Sequence, residues 1–225
     1  MDPFIASLEP PMWKAIREGN ITEFNYQFCQ FLRAPFNQKD EYGCSGYDYM
    51  ACAIQFGQVE IVRAMVSLPS WDLDYGDYRS YLKLASLHKK PAIFKIIADT
   101  GRVDITGRGD DRYTPLHHAC QMGCVQIVDY LLKEGAAPDE RDNFGRTPLC
   151  YAALEGSLEV TRRLLEVDRV NPDVLDDDGK SPFYWAVYRG HSAVAKILSD
   201  TGRVNNSVEG DAMQDRDVVI VDVSD

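Results

Sequence analysis

The chain has 225 residues, of which 45% are hydrophobic, and its 35 acidic and 24 basic residues give a formal net charge of −11. The apolar fraction is typical of a folded chain, and no run of 18 apolar residues suggests a membrane-spanning helix. An acidic surface repels phosphate backbones, which argues against nucleic acid as a direct partner. The first eleven residues contain no basic residue, so we expect no secretory signal there.

The cysteines indicate a reducing compartment. We expect buried, reduced thiols and therefore a cytoplasmic or nuclear location. Their spacing lacks a second Cys or His pair of the kind that holds zinc, so we expect no metal and no cofactor. The six cysteines are Cys29, Cys44, Cys52, Cys120, Cys124 and Cys150.

Three loosely patterned segments come first in the chain. Residues 12–15 precede Gly19, and an insertion near residues 31–42 separates this segment from the next. Residues 48–54 precede Gly57, and residues 80–86 precede Lys89, at the position where a glycine is expected. None of the three has the Thr-Pro start of the later segments, so we predict degenerate helical units here.

Three closely similar segments follow, 33 and then 34 residues apart. They read TPLHHAC from Thr114, TPLCYAA from Thr147 and SPFYWAV from Ser181, and each is followed by a glycine and apolar residues. A fixed period of this size is the signature of a repeat fold.

Local physical chemistry predicts a helix pair for each of these units. Thr or Ser is a good N-cap, and Pro is tolerated in the first helical turn because its missing N–H would be unpaired there. A left-handed residue ends the first helix, which favours Gly123 and its equivalents. Leu116 and Ala119 would face the neighbouring units, and Ile127 and Val128 would form the buried side of the second helix. Such a unit cannot bury its faces alone and depends on stacking.

These segments resemble the ankyrin repeat. The resemblance implies an all-α solenoid of about six helix-turn-helix units with hairpin loops in residues 1–205, followed by an acidic tail in residues 206–225. The units would start near residues 10, 48, 80, 114, 147 and 181. His117 falls at the family's structural histidine, which is usually tied into the adjacent loop. The connectors, such as TGRVD from Thr100, are similar to those of ankyrin proteins from filamentous fungi.

In this family, ligands usually contact the hairpin tips and the exposed side of the first helices. The corresponding side chains are apolar or aromatic for an exposed face, as in binding patches. Two interpretations stay open: these side chains bind a partner, or they pack against the protein's own hairpins. The candidate partner-binding residues are Phe56, His88, Met122, Tyr151, Leu154, Trp185, Tyr188 and Arg189.

Acidic residues recur at the predicted hairpin tips. Asp and Asn cap local N–H groups in turns, and this structural role is one interpretation of Asp142 and of residues 176–178. The alternative is a row of acidic tips that contacts Lys or Arg on a partner with a basic patch.

The tail contains four consecutive β-branched residues, Val218, Val219, Ile220 and Val221, between Asp217 and Asp222. This run resembles a SUMO-interacting motif, because β-branched residues favour an extended strand that can add to a sheet edge. Two alternatives stay open: the strand covers the exposed end of the sixth unit, or it stays disordered.

No nucleophile elbow, phosphate loop, paired-carboxylate signature or metal motif is present, so we expect no enzyme. We predict a monomeric, non-catalytic adaptor that binds another protein, has no membrane contact, and has a tail that binds SUMO. The alternative function is an acidic holder of a basic client protein.

Overall fold

The computed structural model describes residues 10–31, 39, 44–69, 71, 73, 81–109 and 111–202. Twelve α-helices and no β-strand occur in these residues, which confirms the predicted all-α repeat class. The contacts divide the chain into two compact units, Met1–Asp104 and Ile105–Asp225, each with three helix pairs.

The helices are short and alternate with tight turns. In the first unit they are α1 Pro11–Glu18, α2 Ile21–Phe31, α3 Gly46–Phe56, α4 Val59–Val66, α5 Tyr81–Leu87 and α6 Pro91–Ala98. In the second unit they are α7 Pro115–Gln121, α8 Val125–Lys133, α9 Pro148–Leu154, α10 Leu158–Leu165, α11 Pro182–Tyr188 and α12 Ser192–Asp200.

In the second unit, the first helices of successive pairs (α7, α9 and α11) pack side by side, and the second helices (α8, α10 and α12) form a parallel layer. Leu116 and Ala119 are buried between the first helices, as predicted, and Ile127, Val128 and Leu131 form the buried face of α8. Burial of such side chains contributes about 1.5–3 kcal/mol each, and it is available only when a neighbouring pair covers them.

The predicted N-caps form in all three pairs of the second unit. The side-chain oxygens of Thr114, Thr147 and Ser181 accept hydrogen bonds from backbone N–H groups three residues later. A proline begins each of these helices, at the position where no N–H is needed.

In the first unit, α3 has a different cap that compensates for the absent Thr-Pro pair. The Asp48 carboxylate accepts hydrogen bonds from the backbone N–H and the hydroxyl of Ser45, both over 2.8 Å. This is a variant of the capping box, and its sequence signal is an acidic residue three positions after a serine.

The connector arginines also have a structural role. The guanidinium of Arg102 donates hydrogen bonds to the backbone carbonyls of Leu68 (2.9 Å), Pro69 (3.2 Å), Trp71 (3.3 Å) and Val66. These carbonyls lie at and beyond the end of α4, where the last turn of a helix leaves acceptors unpaired. In the second unit Arg169 donates to the carbonyl of Ala136 in the same way, over 3.1 Å. These two connector arginines therefore tie their connectors to the preceding repeats.

The described cysteines are free thiols: Cys52, Cys120, Cys124 and Cys150 are buried and Cys44 is partly exposed. Burial raises the pKa of Cys120 and of Cys150, so both are uncharged thiols at neutral pH. Within the described residues, no helix is long and apolar enough to cross a membrane.

Candidate protein-binding surface

The predicted partner-binding residues divide between the two compact units. Phe56 (41% exposed) and the half-buried His88 lie at the ends of α3 and α5 in the first unit. The other six lie in the second unit, where the structure brings several of them together with residues that the sequence analysis did not select.

An aromatic row runs along α11 and consists of Tyr184, Trp185 and Tyr188. The rings of Tyr184 and Tyr188 are stacked, with centroids 6.0 Å apart and an interplanar angle of 10°. Trp185 meets both tyrosine rings edge-on. The stack forms because residues four apart lie on one face of a helix. Tyr188 is 49% exposed, and Tyr184 and Trp185 are half-buried.

Arg146 joins this row to the preceding hairpin. Its guanidinium carbon lies 4.5 Å from the centroid of the Trp185 ring and 5.6 Å from that of Phe144. Its Nε lies 3.4 Å from Oδ2 of Asp176. The cation therefore lies over two aromatic rings and has a carboxylate partner, an arrangement that holds the Trp185 ring in place. Phe144 at the hairpin tip stays 60% exposed.

Two equivalent aspartates support the hairpins from inside. Oδ1 of Asp142 accepts hydrogen bonds from the backbone N–H groups of Phe144 (2.8 Å) and Arg146 (2.9 Å). Oδ1 of Asp176 does the same for Asp178 (3.1 Å) and Lys180 (2.8 Å). Both carboxylates are buried. For these two residues, the turn-capping interpretation of the acidic tips is confirmed.

The second oxygen of each aspartate binds the first helix of the same repeat. Oδ2 of Asp142 accepts from the Tyr151 hydroxyl over 2.6 Å, and Oδ2 of Asp176 accepts from the Trp185 indole N–H over 2.9 Å. Each carboxylate therefore connects a hairpin to a helix and fixes the aromatic side chain that donates to it.

Tyr151 does not have the exposed position that its place in the pattern suggests. It is 7% exposed, and its ring meets the rings of Tyr113 and His117 edge-on. Burial and the Asp142 carboxylate raise the pKa of Tyr151 well above its usual value. The residue is a buried hydroxyl donor that positions Asp142, because its ring and its polar atom are both engaged within the fold.

His117 lies beside Tyr151 and is tied into the adjacent loop, as the resemblance implied. The backbone N–H of Thr114 donates to Nδ1 of His117 over 3.1 Å, which places the proton on Nε2. Nε2 then donates to the carbonyl of Arg146 over 3.1 Å. Burial lowers the pKa of His117, so the imidazole is neutral at physiological pH.

The remaining predicted residues lie at the ends of the first helices of the three pairs in the second unit. Met122 and Leu154 are half-buried just past α7 and at the end of α9, and Arg189 is exposed directly after α11. Phe144, Arg146 and Tyr184 are the contributors that the sequence analysis missed. The available signal for Tyr184 was its spacing of four residues from Tyr188 on a helix.

Two kinds of candidate site are not seen. Among the described residues, no group of three His, Cys, Asp or Glu side chains could hold a metal ion. The predicted SUMO-binding residues Val218, Val219, Ile220 and Val221 lie outside the described residues.

Comparison with known proteins gives matches to a family model of three consecutive ankyrin repeats at residues 50–142 and 131–209, which is more than half of the chain. The B-cell lymphoma 3 protein homolog of Mus musculus is 35% identical over 88 residues, or 37% of this chain and 20% of that protein. Ankyrin repeat protein nuc-2 of Neurospora crassa is 36% identical over 72 residues, or 32% of this chain and 7% of that protein. Ankyrin repeat-containing protein C6C3.08 of Schizosaccharomyces pombe is 51% identical over 41 residues, or 18% of each chain. The similarity therefore spans a fifth or less of each relative.

Proposed function

Because the chain belongs to the ankyrin repeat family, we propose that it is a non-catalytic adaptor that binds a partner protein through the aromatic row of its second unit. The observation that carries this proposal is the stacked pair of Tyr184 and Tyr188, supported by Trp185 and Arg146. Tyrosine, tryptophan and arginine are the residue types that most often dominate the energy of protein interfaces.

The contacts of Trp185 with Asp176 and Arg146 favour binding because they hold the aromatic row rigid. Trp185 is held by its hydrogen bond to Asp176 and by the Arg146 guanidinium on its ring. A side chain that is already fixed loses little conformational entropy when a partner covers it. We assign Met122, Leu154 and Arg189 to the edge of the same contact, and Phe56 and His88 to a separate contact of the first unit.

Affinity capture from native lysate tests the proposal with two matched variants. Tyr188→Ala removes an exposed ring from the row, whereas Tyr26→Ala removes a ring that is 63% exposed on α2 in the first unit. We expect quantitative mass spectrometry to identify a partner that Tyr188→Ala loses and Tyr26→Ala retains. In a subsequent titration with that purified partner, Tyr188→Ala weakens binding by about 1–2 kcal/mol.

The melting temperature of Tyr188→Ala distinguishes a binding role of the Tyr188 ring from a packing role. Tyr188 is half exposed, so its removal leaves the melting temperature nearly unchanged. If Tyr188→Ala binds the partner normally and melts early, the ring serves packing and the proposal is wrong.

We also propose that Val218, Val219, Ile220 and Val221 form a docking strand for SUMO, with the flanking carboxylates contacting basic residues on the modifier. The test is a titration of the labelled tail and of the full chain with SUMO. Chemical-shift changes should vanish when Val219 and Ile220 are both replaced by Ala. If the full chain ignores SUMO and the double variant unfolds more easily, the strand covers the last repeat instead.

A second candidate function is a holder of a basic client, and the net charge of −11 and the exposed Asp111, Asp177 and Asp178 favour it. Screening by salt distinguishes the two functions. A holder loses its client steeply between low and moderate salt, whereas binding through the aromatic row changes little.

A further inference from the structure

The first hairpin of the second unit contains an arginine where the next two hairpins contain glycine. Gly145 and Gly179 occupy equivalent turn positions, both with φ of 71°. Arg112 occupies the same position, 33 residues before Gly145, with φ of 56°. This left-handed conformation is favourable for glycine and strained for a residue with a Cβ atom.

Nothing in the turn itself requires an arginine. The backbone N–H of Arg112 donates to the carbonyl of Gly109 over 2.8 Å, and a glycine would make the same bond. Within the part of the chain that the structure describes, the Arg112 side chain is exposed and forms no ion pair. Backbone strain that local structure does not explain often marks a functional position.

Arg112 lines an open depression of about 490 Å³ together with residues 137–141 and Arg169. Arg141 and Arg169 line the same depression. The Arg141 guanidinium also donates to the carbonyls of Gly145 and Leu175 and pairs with Asp177, and one amino group of Arg169 donates to the carbonyl of Ala136. Each of these two arginines therefore keeps only part of its guanidinium for a ligand. All three arginines are exposed. Asp139 and Glu140 line the depression as well, in a chain whose net charge is −11.

The acidic residues of the depression are already engaged. Glu140 is paired with Arg108. Oδ2 of Asp139 accepts a hydrogen bond from the backbone N–H of Asn171 over 2.9 Å, and burial raises the pKa of Asp139. These acids therefore do not neutralise Arg112.

We propose that Arg112, together with Arg141 and Arg169, binds the carboxylates of an acidic peptide segment on a partner protein. The planar guanidinium forms paired hydrogen bonds with a carboxylate, a geometry that lysine cannot reproduce. An open depression suits side chains that project from a peptide, whereas small-molecule sites enclose most of their ligand. The negative net charge of the chain repels an acidic peptide at long range. The binding energy must therefore come from the short-range contacts between guanidinium groups and carboxylates. This site is separate from the aromatic row and does not depend on the adaptor proposal.

The test uses the full chain, tetraglutamate as the probe, and NMR signals of the arginine Nε–H groups. We expect tetraglutamate to shift the signals of Arg112, Arg141 and Arg169 saturably, and tetralysine at the same ionic strength to leave them unchanged. Arg112→Gly should weaken tetraglutamate binding about tenfold, the effect of one lost charge-assisted contact. The same variant should melt at a higher temperature because the backbone strain is relieved.

Two further variants complete the test. Lys89→Gly replaces the other non-glycine residue with positive φ among the described residues, in the first unit, and should raise the melting temperature without changing tetraglutamate binding. Arg112→Gln keeps a side chain at the turn and should bind as weakly as Arg112→Gly. The proposal is overturned if the unmodified protein shows no saturable shift, or if Arg112→Gly binds tetraglutamate as tightly as the unmodified protein.

Discussion

The hydroxyl of Tyr151 donates to Oδ2 of Asp142 over 2.6 Å, and the same link recurs 34 residues later between Trp185 and Asp176. In both repeats the other carboxylate oxygen caps the hairpin turn. One buried aspartate thus satisfies backbone donors of the loop and a side-chain donor of the helix. Each aspartate therefore fixes the hairpin relative to the helix that carries the candidate binding side chains.

Tyr151→Phe should destabilise the fold by about 1–3 kcal/mol, because it leaves a buried carboxylate oxygen of Asp142 without its donor. Urea unfolding measures the change as a lower midpoint with an unchanged slope. Tyr26→Phe, at an exposed position on α2, should stay within about 0.5 kcal/mol of the unmodified protein. Equal midpoints for the two variants would show that the Tyr151 hydroxyl contributes nothing to stability.

His117 should make the protein less stable as the pH falls. Burial lowers its pKa in the folded state, so below the unfolded value of about 6.5 the unfolded chain binds a proton that the folded chain does not. Stability is therefore greatest above pH 6.5 and decreases as the pH falls towards the folded pKa, by at most about 1.4 kcal/mol per pH unit. Unfolding free energies between pH 7.5 and 5.5 measure this slope. The slope should be smaller in His117→Gln, and an identical slope in the variant would assign the effect to other groups.

Lys89→Gly should stabilise the protein by about 1 kcal/mol. Lys89 has φ of 51° in the turn between α5 and α6, where the other described helix pairs have a glycine with positive φ. Lys89→Ala is the matched control, because it removes the charged side chain and keeps the Cβ atom that causes the strain. Thermal unfolding should show a higher melting temperature for Lys89→Gly and not for Lys89→Ala. A similar gain for alanine would point to charge and not to backbone conformation.

Arg102→Gln should destabilise the first unit by about 1–3 kcal/mol, because backbone carbonyls at the end of α4 lose their donors. Arg63→Gln is a suitable control, since Arg63 forms an exposed ion pair with Glu60, and such pairs contribute little. Hydrogen exchange should become faster in α4 and α6 of the Arg102 variant. Unchanged exchange rates in these helices would mean that water replaces the guanidinium as hydrogen-bond donor without a loss of stability.

Most of the fold could be predicted from the sequence because its signals are local. The N-caps at Thr114, Thr147 and Ser181 depend on one side chain and the next turn of helix. The period of 33–34 residues then requires stacking, because one helix pair cannot bury its apolar faces alone. The alternative cap at Ser45 and Asp48 was equally local, although it lacks the Thr-Pro pattern.

The exposure of the candidate residues was decided only by the tertiary structure. Tyr151 and Trp185 occupy equivalent positions and donate to equivalent aspartates, so the repeat pattern does not distinguish them. Tyr151 is buried against Tyr113 and His117 of the preceding repeat, whereas Trp185 stays half-exposed under the Arg146 guanidinium. Sequence by itself determined the repeat, its caps and its spacing, since these follow from neighbouring residues. Which aromatic rings face solvent depends on side chains 34 to 39 residues away in sequence, and only the packing of successive repeats brings them together.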